Sequence, residues 1–185
     1  MLGCSGAAST PPVAVPKPGA LETYRDWTIG CDNRGRCEAV ALMPEGADWP
    51  DQPVVLGIAR DAGPDADTQI WTEHGRVGPR TMLGFWVDGR KIASAPVTGD
   101  STKLFGPQAS ALAIAMARGR AMEIRAGDRV IAHPSLSGSA AALRYMDARQ
   151  GRAGTVTALI ATGPLGRNAV RPVPVVPMVR RTAIP

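Results

Sequence analysis

Apolar and polar positions alternate along the first third of the chain, and the pattern then changes. In "LETYRDWTIGC", residues Leu21, Thr23, Arg25, Trp27, Ile29 and Cys31 share one mostly apolar face, which predicts a strand. "CEAVALMP" continues as a second strand ended by Pro44, "EGADWPDQP" reads as a loop, and "VVLGIARD" is a third strand before the turn cluster "DAGPDAD". "TQIWTEH" alternates again, with Ile70 and Trp71 on opposite faces, and "TMLGFWVDGRKIASAPV" predicts a hairpin turning at Asp88 and Gly89. A helical period follows in "GPQASALAIAMARG", where Pro107 suits a first-turn position, Gly119 a stop, and Leu112 and Met116 stand one turn apart. "RAMEIRAGDRVIAHP" returns to a hairpin around Gly127 and Asp128. "SLSGSAAALRYMDARQG" predicts a second helix, capped by Ser137, burying Ala140, Leu143 and Met146, and ended by Gly151. "TVTALIATG" reads as a last strand. This order favours an α+β fold: an antiparallel β-sheet or small sandwich with two helices packed against it.

The two ends read differently. Residues 1–20 are expected to form a lipoprotein-like leader and Pro-rich spacer, residues 21–163 a single globular domain, and residues 164–185 a Pro/Arg-rich linker or tail. "MLGCSGAASTPP" looks like the tail of a bacterial lipoprotein signal, which makes Cys4 the lipidation candidate. The basic and apolar parts of such a signal would precede Met1. No run of eighteen apolar residues occurs, so no transmembrane span is expected.

Charge narrows the choice of partners. The net charge is +5, but Arg167, Arg171, Arg180 and Arg181 carry most of it in a stretch without acids, and the rest is nearly neutral. Aromatics make up only 4%. A nucleic-acid surface needs a basic face with stacking aromatics, so no nucleic-acid partner is expected.

Cys31 and Cys37 flank the loop "DNRGR". Structural zinc wants paired close ligands, and His74 and His133 are far apart in the chain, so no metal site is expected. A thioredoxin-type pair would be C-x-x-C before a helix. A five-residue hairpin loop with Asn33 or Gly35 in a left-handed conformation sets the two cysteines opposite one another, at a spacing a disulfide can bridge. Two reduced core thiols are the alternative, and a disulfide would imply an oxidising compartment.

"YRDWTIGCDNRGRCEAVAL" resembles the opening of the bacterial domain of unknown function 1176 family, and "SLSGSAAALRYMDARQGRAGTVTALIATG" resembles that family's later block. The first block, with Asp26, Trp27, Cys31 and Cys37, is also similar, more weakly, to the invasion-associated locus B proteins. The resemblance implies an exported envelope protein with no assigned activity, and further chain beyond Pro185.

Candidate chemistry is sparse. His74 and Glu73 are adjacent on a strand and point to opposite faces. His133 precedes Pro134 at a strand end. "SLSGS" lacks the G-x-S-x-G elbow, "VTGDSTK" lacks phosphate-loop spacing, and Glu45, Asp48 and Asp51 lie in a proline-broken loop rather than a calcium loop. No catalytic residue and no cofactor is therefore expected. Arg149 and Arg152, in "DARQGR", are candidate anion contacts or simply cations at a helix C-terminus. Trp49, between acids and prolines, is a candidate contact residue or a lid over the sheet. The reading is a non-catalytic binding or structural module whose partner is an envelope protein or wall component; the alternative is a periplasmic hydrolase using His74 or His133.

Overall fold

The structure, a computed structural model, describes residues 18–44, 53–75, 77–78 and 81–176. Ten strands form one antiparallel sheet: β1 (Glu22–Tyr24), β2 (Trp27–Cys31), β3 (Cys37–Ala41), β4 (Val55–Arg60), β5 (Thr68–Glu73), β6 (Met82–Val87), β7 (Arg90–Thr98), β8 (Ser101–Phe105), β9 (Met122–Ala126) and β10 (Arg129–Ala132). Their spatial order is β1-β2-β3-β4-β5-β8-β7-β6-β9-β10. Helices α1 (Gly106–Arg118) and α2 (Ser139–Arg149) pack against it, α1 on β5, β7 and β8, and α2 on β1, β2 and β3. The α+β architecture expected from the alternation is the one observed.

Register explains the core. Ile29, Ala39, Ile58, Ile70 and Leu104 face each other in one row across β2, β3, β4, β5 and β8, and all are buried. From the helices, Leu112, Met116, Leu143 and Met146 meet this layer. With period 2, the neighbouring rows must face outward. One of them runs Thr28, Val40, Gly57, Trp71 and Lys103.

Several local expectations are corrected. The alternating run from Leu21 to Cys31 is two strands folded on each other, turning at Arg25, whose φ is 53°. Tertiary bonds hold that turn: the Ser135 hydroxyl donates to Asp26 at 2.5 Å, and the Leu42 amide donates to the Asp26 carbonyl at 2.8 Å. Strand β8 has no counterpart among the expected elements, although Gly99 and Asp100 supply its two-residue turn. Ser137 does not cap α2. Gly138 does so in a left-handed conformation, its carbonyl accepting the Ala142 amide at 3.0 Å. Ala142 rather than Ala140 takes the buried position beside Leu143 and Met146.

"TVTALIATG" is not a strand. Its residues turn, with a single parallel bridge from Thr155 to Leu165. The stretch after Pro164, read as linker or tail with unpartnered arginines, packs on the body as far as it is described. Arg167 opens a 3-10 turn (Arg167–Ala169) and pairs with Asp65 at 2.9 Å, and Val170 is buried. Proline excludes a ladder but not docking by side chains, and Asp65 lies 102 residues away, beyond any local pattern.

The Cys31 and Cys37 sulfurs are bonded, 2.05 Å apart, across a directly opposed pair of β2 and β3. Asp32 organises the loop between them, its carboxylate accepting the Arg34 and Arg36 amides at 2.8 and 2.9 Å, while Gly35 takes φ 79°. A ring this small constrains the unfolded chain modestly. Replacing both cysteines with alanine should lower unfolding stability by about 2 kcal/mol in denaturant titrations. Alkylation followed by mass spectrometry on protein made in an oxidising compartment should find no free thiol at either position without reductant.

Candidate functional site

The "DARQGR" segment carries the densest polar constellation, and it serves the scaffold. Asp147 is fully buried at the end of α2, and its carboxylate accepts the backbone amides of Leu159, Ile160 and Ala161 at 2.9, 2.8 and 3.0 Å. Those donors would otherwise be free for a strand ladder, which is why this segment turns instead. The Gln150 amide nitrogen reaches the carbonyls of Gly35, Arg60 and Asp61 at 3.0, 2.7 and 3.2 Å. Arg152 is 0% exposed and donates to Gln150 Oε1 at 3.3 Å, to Thr157 Oγ1 at 3.1 Å and to the Gly63 carbonyl. Beside it, Arg60 donates to the carbonyls of Ala66 and Thr157 at 3.2 and 2.8 Å. Burial, and next the neighbouring Arg152 charge, push the Arg60 guanidinium down to about 10. Burial also lowers Arg152, opposed by the attraction of Asp147. Arg152 is thus an internal tie rather than an accessible anion contact. Arg149 is exposed, with its guanidinium lying over Gly19.

The histidines lie apart in character. His74 is 4% exposed. Its Nδ1 is 3.2 Å from the Gly75 carbonyl, and its Nε2 is 3.2 Å from Thr102 Oγ1. A proton on Nδ1 satisfies both contacts, since the carbonyl only accepts and the hydroxyl can then donate. Thr102 is itself 1% exposed, and Glu73 points to the other face of β5. His133 is exposed at the rim of an apolar recess of about 290 Å³ formed by Leu42, Met43, Val54, Ile131 and Pro134. Among the described residues, no group of three or more His, Cys, Asp or Glu is placed to hold a metal ion. Cys4 and Trp49 lie outside the described residues.

A feature that sequence reasoning passed over stands on the outward face of the sheet. Trp71, on β5, lies over Gly57 of β4. A Cβ placed on Gly57 would meet the ring-fusion carbon Cε2 first and its bonded neighbours Cζ2 and Nε1 slightly farther off. That order marks an approach through the ring face, because an in-plane approach would meet the neighbours first. The indole therefore lies flat on the strand with its other face outward. Its Nε1–H donates to Glu38 Oε1 at 2.7 Å, which fixes the ring's rotation. Arg36, Gln69 and Lys103 surround it in a cleft of about 290 Å³. Trp86 on β6 is different: the Arg125 guanidinium already sits 4.4 Å from its ring centre. Among the described residues, no such cation covers Trp71. The legible signal was the pairing of an outward tryptophan with a glycine in the neighbouring strand.

Comparison with known proteins gives the chain relatives. Over 171 aligned residues the chain is 29% identical to the uncharacterized protein YpfG of Escherichia coli (strain K12), covering 84% of this chain and 45% of that protein. The chain thus spans less than half the length of that curated relative. The crystal structure of invasion associated protein B from Bartonella henselae matches with a TM-score of 0.53 at 15% identity, over 71% of this chain and 99% of that one. At that identity the likeness speaks for the fold. Among the described residues no helix is long and apolar enough to cross a membrane. The opening and later sequence blocks fall within the match, which runs from residue 21 to residue 185, and the chain belongs to the family described as Protein of unknown function (DUF1176).

Proposed function

We propose that the chain is an exported bacterial envelope protein, periplasmic and with Cys4 as the point of lipid attachment, that works as a non-catalytic binding module. The observation carrying the binding role is Trp71. Its edge is tied to Glu38 and one face is seated on Gly57, while the other face is turned outward among Arg36, Gln69 and Lys103. An aromatic with a spare face among polar side chains is a common basis of recognition. The Cys31–Cys37 bond supports an oxidising compartment. Trp49 and Arg149 are further candidate contacts, and the partner is an envelope protein or wall component.

A photo-crosslinking residue at Lys103, in the native bacterial envelope, tests this. Adducts at position 103 that disappear in Trp71→Ala are the expected result. Equal labelling from a crosslinker at exposed Arg144 on α2 would remove the basis for assigning the contact to this face.

The hydrolase alternative rests on the His74–Thr102 contact, an imidazole beside a hydroxyl. Against it stand the burial of Thr102 and the carbonyl, rather than carboxylate, at His74 Nδ1. A panel of esterase, peptidase and glycan substrates should show no turnover that His74→Ala or His133→Ala abolishes; such turnover would establish the alternative.

A further inference from the structure

We infer that the Trp71 cleft recognises a neutral polyhydroxylated ligand, a saccharide chain, by stacking one sugar ring on the outward indole face. This rests on the binding-module reading and deepens it.

The first ground is the ring's presentation. Glu38 consumes the only polar group of the indole, so Trp71 offers a bare π face and no hydrogen-bond donor. That face suits the C–H side of a sugar ring, which is apolar and carries slight positive charge, matching the ring quadrupole. The seat is built for this pose. Any side chain on Gly57 would lift the indole off the strand, and the same strand position buried under another residue type would give no flat platform.

The second ground is the rim. Arg36 and Lys103 supply donors, Glu38 and Glu73 supply acceptors, and Gln69 supplies both. Two cations face two anions, and Arg36 is further occupied by Asp61 at 3.0 Å. A polyanion such as a nucleic acid or a phosphate polymer would meet no net positive field here. Hydroxyl groups, which donate and accept, fit a mixed rim. A cleft of about 290 Å³ is at the small end for a ligand site, fitting one ring rather than a whole chain.

The third ground is extent. Phe105 is 60% exposed on the same outward face and pairs with Gln69, while Trp71 pairs with Lys103. Trp71 and Phe105 are therefore diagonal neighbours, roughly 7–8 Å apart in such a ladder. Two aromatics in that relation favour an oligomer laid across β5 and β8.

Titration of the full chain with cellotetraose and with tetra-N-acetylchitotetraose, followed by calorimetry and by indole fluorescence, tests the inference. At least one tetrasaccharide should bind. Trp71→Ala should weaken it about tenfold or more, and Trp71→Phe, which keeps a flat ring, by no more than about threefold. Gly57→Leu keeps Trp71 but destroys its seat and should weaken binding as Trp71→Ala does. Phe105→Ala should weaken the tetrasaccharide more than the matching disaccharide. Circular dichroism confirms that each variant is folded. No saccharide binding by the unaltered chain, with Trp71-dependent crosslinks at position 103 intact, would overturn the saccharide class and leave the binding module standing. Saccharide binding that survives both Trp71→Ala and Gly57→Leu would overturn the site. Loss of both the crosslinks and the saccharide binding would remove the module reading itself.

Discussion

Replacing Asp147 with alanine is expected to lower unfolding stability by about 4 kcal/mol, the larger of two severe effects. The carboxylate is fully buried and receives three backbone amides in a row, from Leu159, Ile160 and Ala161. Alanine leaves all three donors without their partner, the Leu159 amide in a buried place and the other two partly buried, and each orphaned buried amide costs about 1–3 kcal/mol. It also removes the negative charge that offsets the cost of burying the Arg60 and Arg152 guanidinium groups. Asp147→Asn retains one carbonyl oxygen and should cost roughly half as much. Urea titration of both variants, compared with the parent, decides the matter. A loss below about 1 kcal/mol for the alanine variant would mean that the 159–161 turn is held by something else.

Gly138→Ala should cost about 3 kcal/mol or more, by a different physical route. Gly138 has φ 98°, a conformation that penalises any side chain, and a Cβ there would collide with the Tyr24 carbonyl oxygen. The neighbour is backbone, at the edge strand β1, and cannot rotate away. Relief requires α2 to move off the β1–β2 turn, which also strains the Asp26 amide bond to the Ser137 carbonyl at 3.2 Å. Thermal unfolding of this variant beside Gly127→Ala gives the comparison. Gly127 also has positive φ, at 61°, but nothing lies within 4 Å of its Cβ position. The difference between the two isolates the collision from the backbone preference. Equal melting temperatures would show that the β1 edge yields easily.

The contrast between these sites explains what the sequence revealed. Period-2 alternation in "WTIGC" and "TQIWTEH" reported its face correctly, because a one-residue error would exchange core and solvent. Short turns such as Asp88-Gly89 were legible because their chemistry is local: Asp88 and Gly89 take φ 48° and 75°. What stayed hidden depends on partners distant in the chain. The Arg25 turn is held by Ser135 through Asp26, the stretch after Pro164 is held by Asp65, and "TALIA" is held by Asp147. "TALIA" has strand-like composition, yet its backbone donors serve a carboxylate. The Trp71 cleft was half visible. Its outward direction followed from alternation, but its flat seat needs the register of β4 against β5, which no local pattern supplies.

The small disulfide loop has a mechanical consequence. The Gly19 amide donates to the Cys31 carbonyl at 2.8 Å as the described chain enters. Near its other end, Pro174 comes within 3.7 Å of the Cβ position of Gly35 in the same loop. Both ends of the body therefore pass one corner. A load applied between residues 19 and 174 would run through that corner and not across the ten-stranded sheet. The covalent bond between β2 and β3 sits where such a load would begin to peel the sheet apart. The outward face of β5 and β8, several strands away, would keep its shape under tension.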